Sequence, residues 1–236
     1  MAAWPVSTMT QRCTSALVVV DMLNDFVAQA GYYDEITKLK RAKSGPLSQG
    51  DVDALAQLHR NPPASCVIRD GYQDLVTRVT AVATAALGRQ MRTIFVRTGY
   101  DPKSRYRPPL FIAAPDRQDY ACHPGTWGAE LVDPFKRLAG DPFAAVIEKH
   151  TYDAFFETEL RGFLRSHHIE TLYLAGVETN VCVLCTALSA LSNGFATVIL
   201  EDCVATSLPA LHEPALQIIE VAKGQRLSHQ SFLALL

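Results

Sequence analysis

The segment GVETNVCVLC, residues 176 to 185, puts a cysteine at the joint between a short apolar run, TLYLA, and a helix-like run, TALSALSN. Three roles are open to Cys182: a nucleophile, one half of a C-x-x-C redox pair with Cys185, or a small apolar core residue. The nucleophile has a specific rationale. In the first turn of a helix the unpaired backbone N–H groups carry partial positive charge, which favours thiolate over thiol. The same N–H groups can receive the oxyanion of a tetrahedral intermediate. A nearby lysine would add to the thiolate character. A nearby aspartate could take the thiol proton and later give it to a leaving amine. Cysteine, lysine and aspartate together suffice for acyl transfer through a thioester-like intermediate.

Such groups must be brought together by regular elements. ALVVVD (16 to 21) is a continuous apolar run ending in an acid, the pattern of a strand buried on both faces of a parallel sheet. Similar runs recur at RTIFVR (92 to 97), AAVIEK (144 to 149), TLYLAG (171 to 176) and TVILED (197 to 202). Helical spacing of apolar residues marks 74 to 90, 155 to 168, 180 to 193 and 214 to 224, with Asn193-Gly194 and Lys223-Gly224 as helix stops. Alternating strand and helix predicts right-handed crossovers and a three-layer α/β/α domain. Ligands in such sheets bind outside the carboxyl ends of the strands. Asp21 ends the first run, Lys149 ends the third, and Cys182 follows the fourth, so one sheet edge would collect all three. Singly, each has a plainer reading: Asp21 as a turn cap, Lys149 as a solvated strand end, Cys182 as core. The C-x-x-C spacing is easily met by chance, and Cys185 reads as a core residue.

Two stretches interrupt the rhythm, at about 28–70 and about 99–128. Both are read as walls or lids of a pocket in one domain spanning 1–236, because long structureless loops in a compact domain are usually functional. The net charge of −2 has no clustered basic surface behind it, so nucleic acid is not an expected partner. KLKRAK (38 to 43) reads as a solvated loop or helix face. No apolar segment has membrane length, and MAAWPVSTMTQRC lacks the basic start and apolar core of a secretory signal. Six scattered cysteines fit reduced thiols and a cytoplasmic location. None of the seven histidines forms H-x-H, H-E-x-x-H or D-x-H, so no metal is expected. Neither G-x-x-x-x-G-K-[ST] nor G-x-G-x-x-G occurs, so no nucleotide cofactor is expected, and G-x-S-x-G is absent too.

Four ordered motifs carry a resemblance to a known family: ALVVVDMLNDFV, PGTWGAELVD (124 to 133), EKHTYDAFFETEL (148 to 160) and AGVETNVCV (175 to 183). The chain resembles the isochorismatase-like cysteine hydrolases over roughly residues 15 to 225. The resemblance implies a six-stranded parallel sheet of order 3-2-1-4-5-6 flanked by helices. It also implies Asp21 as general base and acid, Lys149 as the cation that lowers the thiol pKa, and Cys182 as nucleophile. A cis peptide is implied at Val177–Glu178, aiming the Glu178 N–H beside that of Cys182 as an oxyanion hole. Asn24 and Phe26 match positions near the base, and Tyr152 and Phe155 match pocket walls.

Leu23 departs from the family's usual Gln and Asp153 from a frequent Ser. RTGYDPKSRYRP after the second strand lacks the D-x-H of metal-dependent nicotinamidases, and the presence of Cys182 points away from the vinyl-ether chemistry of isochorismatases proper. The long 28–70 segment is similar to those of the ureidoacrylate amidohydrolases, N-carbamoylsarcosine amidases and biuret-type hydrolases. The expected reaction is therefore C–N cleavage of a small ureido, carbamoyl or primary amide substrate. Arg97, Arg105 or Arg107 would bind a substrate carboxylate, and Tyr32, Tyr33 and Trp127 are pocket aromatics. Vinyl-ether hydrolysis by Asp21, thiol–disulfide exchange by Cys182/Cys185 and a non-enzymatic binding role remain the alternatives. The resemblance also implies a homodimer or homotetramer.

Overall fold

The computed structural model of the chain describes residues 14–42, 48–60, 66–100 and 121–236. Arg105, Arg107 and most of the 99–128 segment lie outside them. The described chain runs β1 (Ser15–Val20), α1 (Asn24–Val27), α2 (Tyr32–Ala42), α3 (Gln49–Arg60), α4 (Gln73–Gly88), β2 (Arg92–Thr98), α5 (Asp133–Leu138) and β3 (Ala144–Lys149). It continues through α6 (Leu160–Ser166), β4 (Thr171–Val177), a π-helical turn (Thr179–Val183), α7 (Leu184–Ser192), β5 (Ala196–Ala205), α8 (His212–Val221), β6 (Gln225–Leu227) and α9 (His229–Leu235). The six strands form one sheet of order β3-β2-β1-β4-β5-β6, parallel at every pairing.

β1 is buried on both sides because its alternate residues serve two separate cores. Leu17 and Val19 join the layer that includes α4, while Ala16, Val18 and Val20 join the layer with Cys182, Val183 and Leu172. Pairing of β1 with β4 from Ser15↔Thr171 to Val20↔Gly176 sets the ends of the two strands level. Gly176 makes this close approach possible. Its φ is +116°, and a Cβ there would stand 2.0 Å from the Val20 carbonyl oxygen.

Five of the six strands coincide with the apolar runs. β6 has only three residues, Gln-Arg-Leu, at a sheet edge, so no apolar run announces it. The 28–70 stretch carries two helices, α2 and α3, where a structureless segment was expected, and KLKRAK begins within α2. The helix expected over 155–168 starts only at Leu160. Before it, Asp153 Oδ1 accepts the Phe155 N–H at 2.8 Å and Thr158 Oγ1 accepts the Leu160 N–H at 3.2 Å, local bonds that hold a turn against the helix. Among the described residues no helix is long and apolar enough to cross a membrane.

Candidate active site

Asp21 directly follows β1 and sits at φ +54°, its N–H bonded to the Val96 carbonyl of β2 at 2.9 Å. Lys149 ends β3, and Cys182 lies in the π-helical turn that joins β4 to α7. A single π turn inside a helical run commonly marks a functional site. Val181 and Val183 both donate their N–H to the Glu178 carbonyl at 3.1 Å, which winds this turn wide. The peptide Val177–Glu178 is cis.

These elements bring the three side chains together. Lys149 Nζ lies 2.8 Å from Asp21 Oδ2 and 3.3 Å from Cys182 Sγ. All three are buried: Asp21 and Lys149 are 0% exposed and Cys182 is 3% exposed. Two further groups complete the cluster, and nothing in the strand pattern had singled them out. Lys149 Nζ donates to Thr98 Oγ1 at 2.5 Å and to the Thr151 carbonyl at 3.0 Å. Thr98 Oγ1 in turn donates to Asp21 Oδ1 at 2.8 Å. The threonine thus fixes the carboxylate by one oxygen. Oδ2 faces the ammonium as an ion pair but takes no hydrogen bond of good geometry, which leaves it a lone pair for a proton. The signal for Thr98 was its place at the end of β2, level with Lys149 in the β2–β3 pairing.

The electrostatics differ from the expectation of a lowered thiol pKa. Burial pushes the Cys182 thiol well above its ordinary value; Lys149 pulls it down, but Asp21 raises it again. Burial alone would lower Lys149, but Asp21 and Cys182 outweigh it and hold the ammonium charged. Tyr100, buried and raised chiefly by desolvation, feels both Cys182 and Asp21, and it meets Tyr152 edge-on at 6.5 Å. Tyr152 is 43% exposed and also within electrostatic reach of Cys182. Tyr33, raised chiefly by burial and then by Glu178, lies within reach of Cys182 as well and packs edge-on against Phe26 at 4.9 Å.

The other expected site residues are more dispersed. Asn24 is buried and fully used: its Nδ2 donates to the Trp127 carbonyl at 2.7 Å and its Oδ1 accepts from Cys66 Sγ at 3.2 Å. It ties Trp127 to the β1 end. Asp25, next to it, accepts the Tyr32 N–H at 2.9 Å through Oδ1 and the Cys122 N–H at 2.6 Å through Oδ2. Only a glycine fits beside that carboxylate, since a Cβ on Gly128 would lie 2.2 Å from Oδ2. Asn24 and Asp25 thereby dock Trp127, Tyr32 and residues 122–128 over the site.

One expectation is corrected. Arg97 does not turn inward; it is half-exposed and pairs with Glu148 across β2 and β3 at 2.8 Å. Strand alternation is the reason: Thr98 points at Asp21, so its neighbour points the other way. Phe155 packs on Phe195 with ring centroids 5.8 Å apart. Phe155 shares one core cluster with Phe195 and Cys182 and also lines a cavity beside Ile147 and His150. Cys182 and Cys185 are both free cysteines; Cys182 is buried and Cys185 only partly so, within electrostatic reach of Lys149. Among the described residues no three His, Cys, Asp or Glu side chains are grouped to hold a metal.

A buried acid, ammonium and thiol in mutual contact at the carboxyl edge of a 3-2-1-4-5-6 parallel sheet define the class of site. The sequence profile of the Isochorismatase domain matches residues 64–230. The chain belongs to the isochorismatase family. It is 28% identical over 215 residues to the ureidoacrylate amidohydrolase RutB of Yersinia enterocolitica, covering 85% of this chain and 79% of the relative. It is 29% identical over 214 residues to that of Pantoea ananatis, covering 85% and 73%. Among solved structures, the nicotinamidase PncA of Bacillus subtilis aligns with TM-score 0.66 at 22% identity, covering 91% of this chain and 99% of that one. The N-carbamoylsarcosine amidase of Thermoplasma acidophilum aligns with TM-score 0.61 at 21% identity, covering 91% and 96%; both likenesses speak to the fold.

Proposed function

We propose that the protein is a cysteine-dependent amidohydrolase that cleaves a C–N bond of a small ureido, carbamoyl or primary amide compound through a covalent acyl-enzyme. The observation that carries this reading is the position of Lys149 Nζ, 2.8 Å from Asp21 and 3.3 Å from Cys182. The similarity to amidohydrolases named for ureidoacrylate supports the substrate class.

As the Cys182 sulfur attacks the carbonyl carbon, its proton passes to Asp21 Oδ2. In this scheme attack and proton transfer to Asp21 go together. Lys149 remains charged and offsets the negative charge that moves onto sulfur. The main-chain N–H groups of Glu178 and Cys182 receive the oxyanion. On collapse, the C–N bond breaks and the departing nitrogen takes the proton from Asp21. Asp21 then deprotonates a water that attacks the thioester, the C–S bond breaks, and the proton returns to sulfur. The products are ammonia or an amine, and an acid or a carbamate that falls to CO₂ and ammonia.

An ammonia-release screen over ureido acids, carbamoyl amino acids, biuret, nicotinamide and other primary amides tests the reading. Cys182→Ala should lose kcat by about four orders of magnitude or more, Cys185→Ser should keep it, and intact mass under substrate should show an adduct on Cys182. Turnover that survives Cys182→Ala would instead place the chemistry on Asp21, as in vinyl-ether hydrolysis. Loss in Cys185→Ser would favour disulfide exchange.

A further inference from the structure

A second buried polar cluster lies beside the first and is not used by the mechanism. Arg69 is only 8% exposed, yet its Nε and Nη2 make no hydrogen bond among the described residues. Its guanidinium lies over the Tyr72 ring, Cζ 4.0 Å from the centroid. The Tyr72 O–H, on a residue 8% exposed, is likewise without a partner. Glu178 is 6% exposed; its Oε2 accepts from the Ser207 N–H at 2.5 Å and the Ser207 hydroxyl at 3.0 Å, while Oε1 is buried and unbonded.

The fold places these groups at one level. The Arg69 N–H bonds the Val27 carbonyl at 3.0 Å, which anchors it just past the β1 end. Arg78 of α4 donates to the Asp202 carbonyl of β5 at 2.6 Å. α4 packs on both β4 and β5 as the crossover back from β1, so Tyr72, before its first residue, stands toward the carboxyl ends where Glu178 and Ser207 are clasped. The Tyr72 hydroxyl is within electrostatic reach of both Glu178 and Arg69. The two charges nevertheless form no ion pair within 4.0 Å among the described residues. Glu178 also joins this cluster to the nucleophile, since its main chain leads into the turn that holds Cys182, and it lines a cavity of about 430 Å³ with Tyr33.

A buried guanidinium without a contacting counter-charge is costly, and water can satisfy its N–H groups but not its charge. We infer that Arg69 and Tyr72 form a subsite for a carboxylate on the substrate, with Glu178 Oε1 accepting an N–H from the same molecule. Resting on the amidohydrolase reading, this narrows the substrate to a small ureido or carbamoyl acid. Two parallel N–H···O bonds from the guanidinium suit a carboxylate and no neutral group equally. Glu178 fixes the polarity: it repels the acid end and draws the nitrogen end toward the cis-peptide turn.

Binding in a protein that cannot turn over separates this inference from the reaction. In full-length Cys182→Ala, calorimetry with 3-ureidopropionate and with neutral 3-ureidopropionamide should show the acid binding about tenfold or more tightly. Adding Arg69→Gln should abolish that preference, and Arg69→Lys should restore part of it, with melting curves confirming that each variant folds. A merely structural arginine would weaken both probes alike. Equal binding of the two probes, a preference that survives Arg69→Gln, or no saturable binding of the acid at millimolar concentration overturns the subsite. A wild-type protein that binds the acid through Arg69 yet releases no ammonia from it sustains the subsite and sinks the amidohydrolase reading.

Discussion

Two buried charge clusters share one end of the sheet, and they are built differently. In the Asp21–Lys149–Cys182 cluster each charge has a partner in contact, and Thr98 and the Thr151 carbonyl take up the remaining donors. In the Arg69–Tyr72–Glu178 cluster Arg69 Nε and Nη2, the Tyr72 hydroxyl and Glu178 Oε1 are buried without a hydrogen bond. The first is complete before anything binds, as the proposed reacting centre must be if its geometry is to be preorganised. The second lacks an acceptor and a donor, and a ligand of the right polarity would supply both. On the proposed reading, catalysis and recognition are separated by which cluster is closed on itself.

Removing a charge from each cluster puts this contrast to the test. Lys149→Met leaves Asp21 buried and uncompensated, so urea unfolding should show a loss of about 3–5 kcal/mol along with loss of turnover. An unchanged midpoint would mean that the pair contributes nothing to the folded state. Iodoacetamide sharpens the description of the closed cluster. A raised thiol pKa means that the thiolate fraction at Cys182 keeps growing about tenfold per pH unit, so its alkylation rate should climb through pH 9.0, the ordinary thiol value, without a plateau. A plateau below that pH would show that Lys149 dominates and a thiolate is stored. The smallest effect belongs to Arg69→Met. It removes a charge with no contacting partner and forfeits only the stack on Tyr72, so stability should stay within about 1 kcal/mol of the parent. A loss as large as that of Lys149→Met would erase the difference between the two clusters.

Much of the Asp21–Lys149–Cys182 cluster was legible along the chain because a parallel sheet converts sequence order into place. Three apolar runs ending near an acid, a lysine and a cysteine must present those residues at one edge whatever the details of packing. Helices α2 and α3 were obscured because the polar, glycine- and proline-containing stretch around them masks a periodicity that packing completes. β6 was obscured because three residues at an edge need not be apolar.

By itself, then, the sequence determined the strand runs, their parallel arrangement and the convergence of Asp21, Lys149 and Cys182 at one sheet edge, since each follows from local periodicity and strand direction. Tertiary structure alone decided the rest. It turned Arg97 out to Glu148, drew Phe155 into the core against Phe195, and set Thr98 between Lys149 and Asp21. It also fixed the direction of the Cys182 shift and left the Arg69 guanidinium buried without a counter-charge in contact. Each of these is a sum over neighbours distant along the chain, and side-chain direction, burial and charge balance exist only once those neighbours have packed.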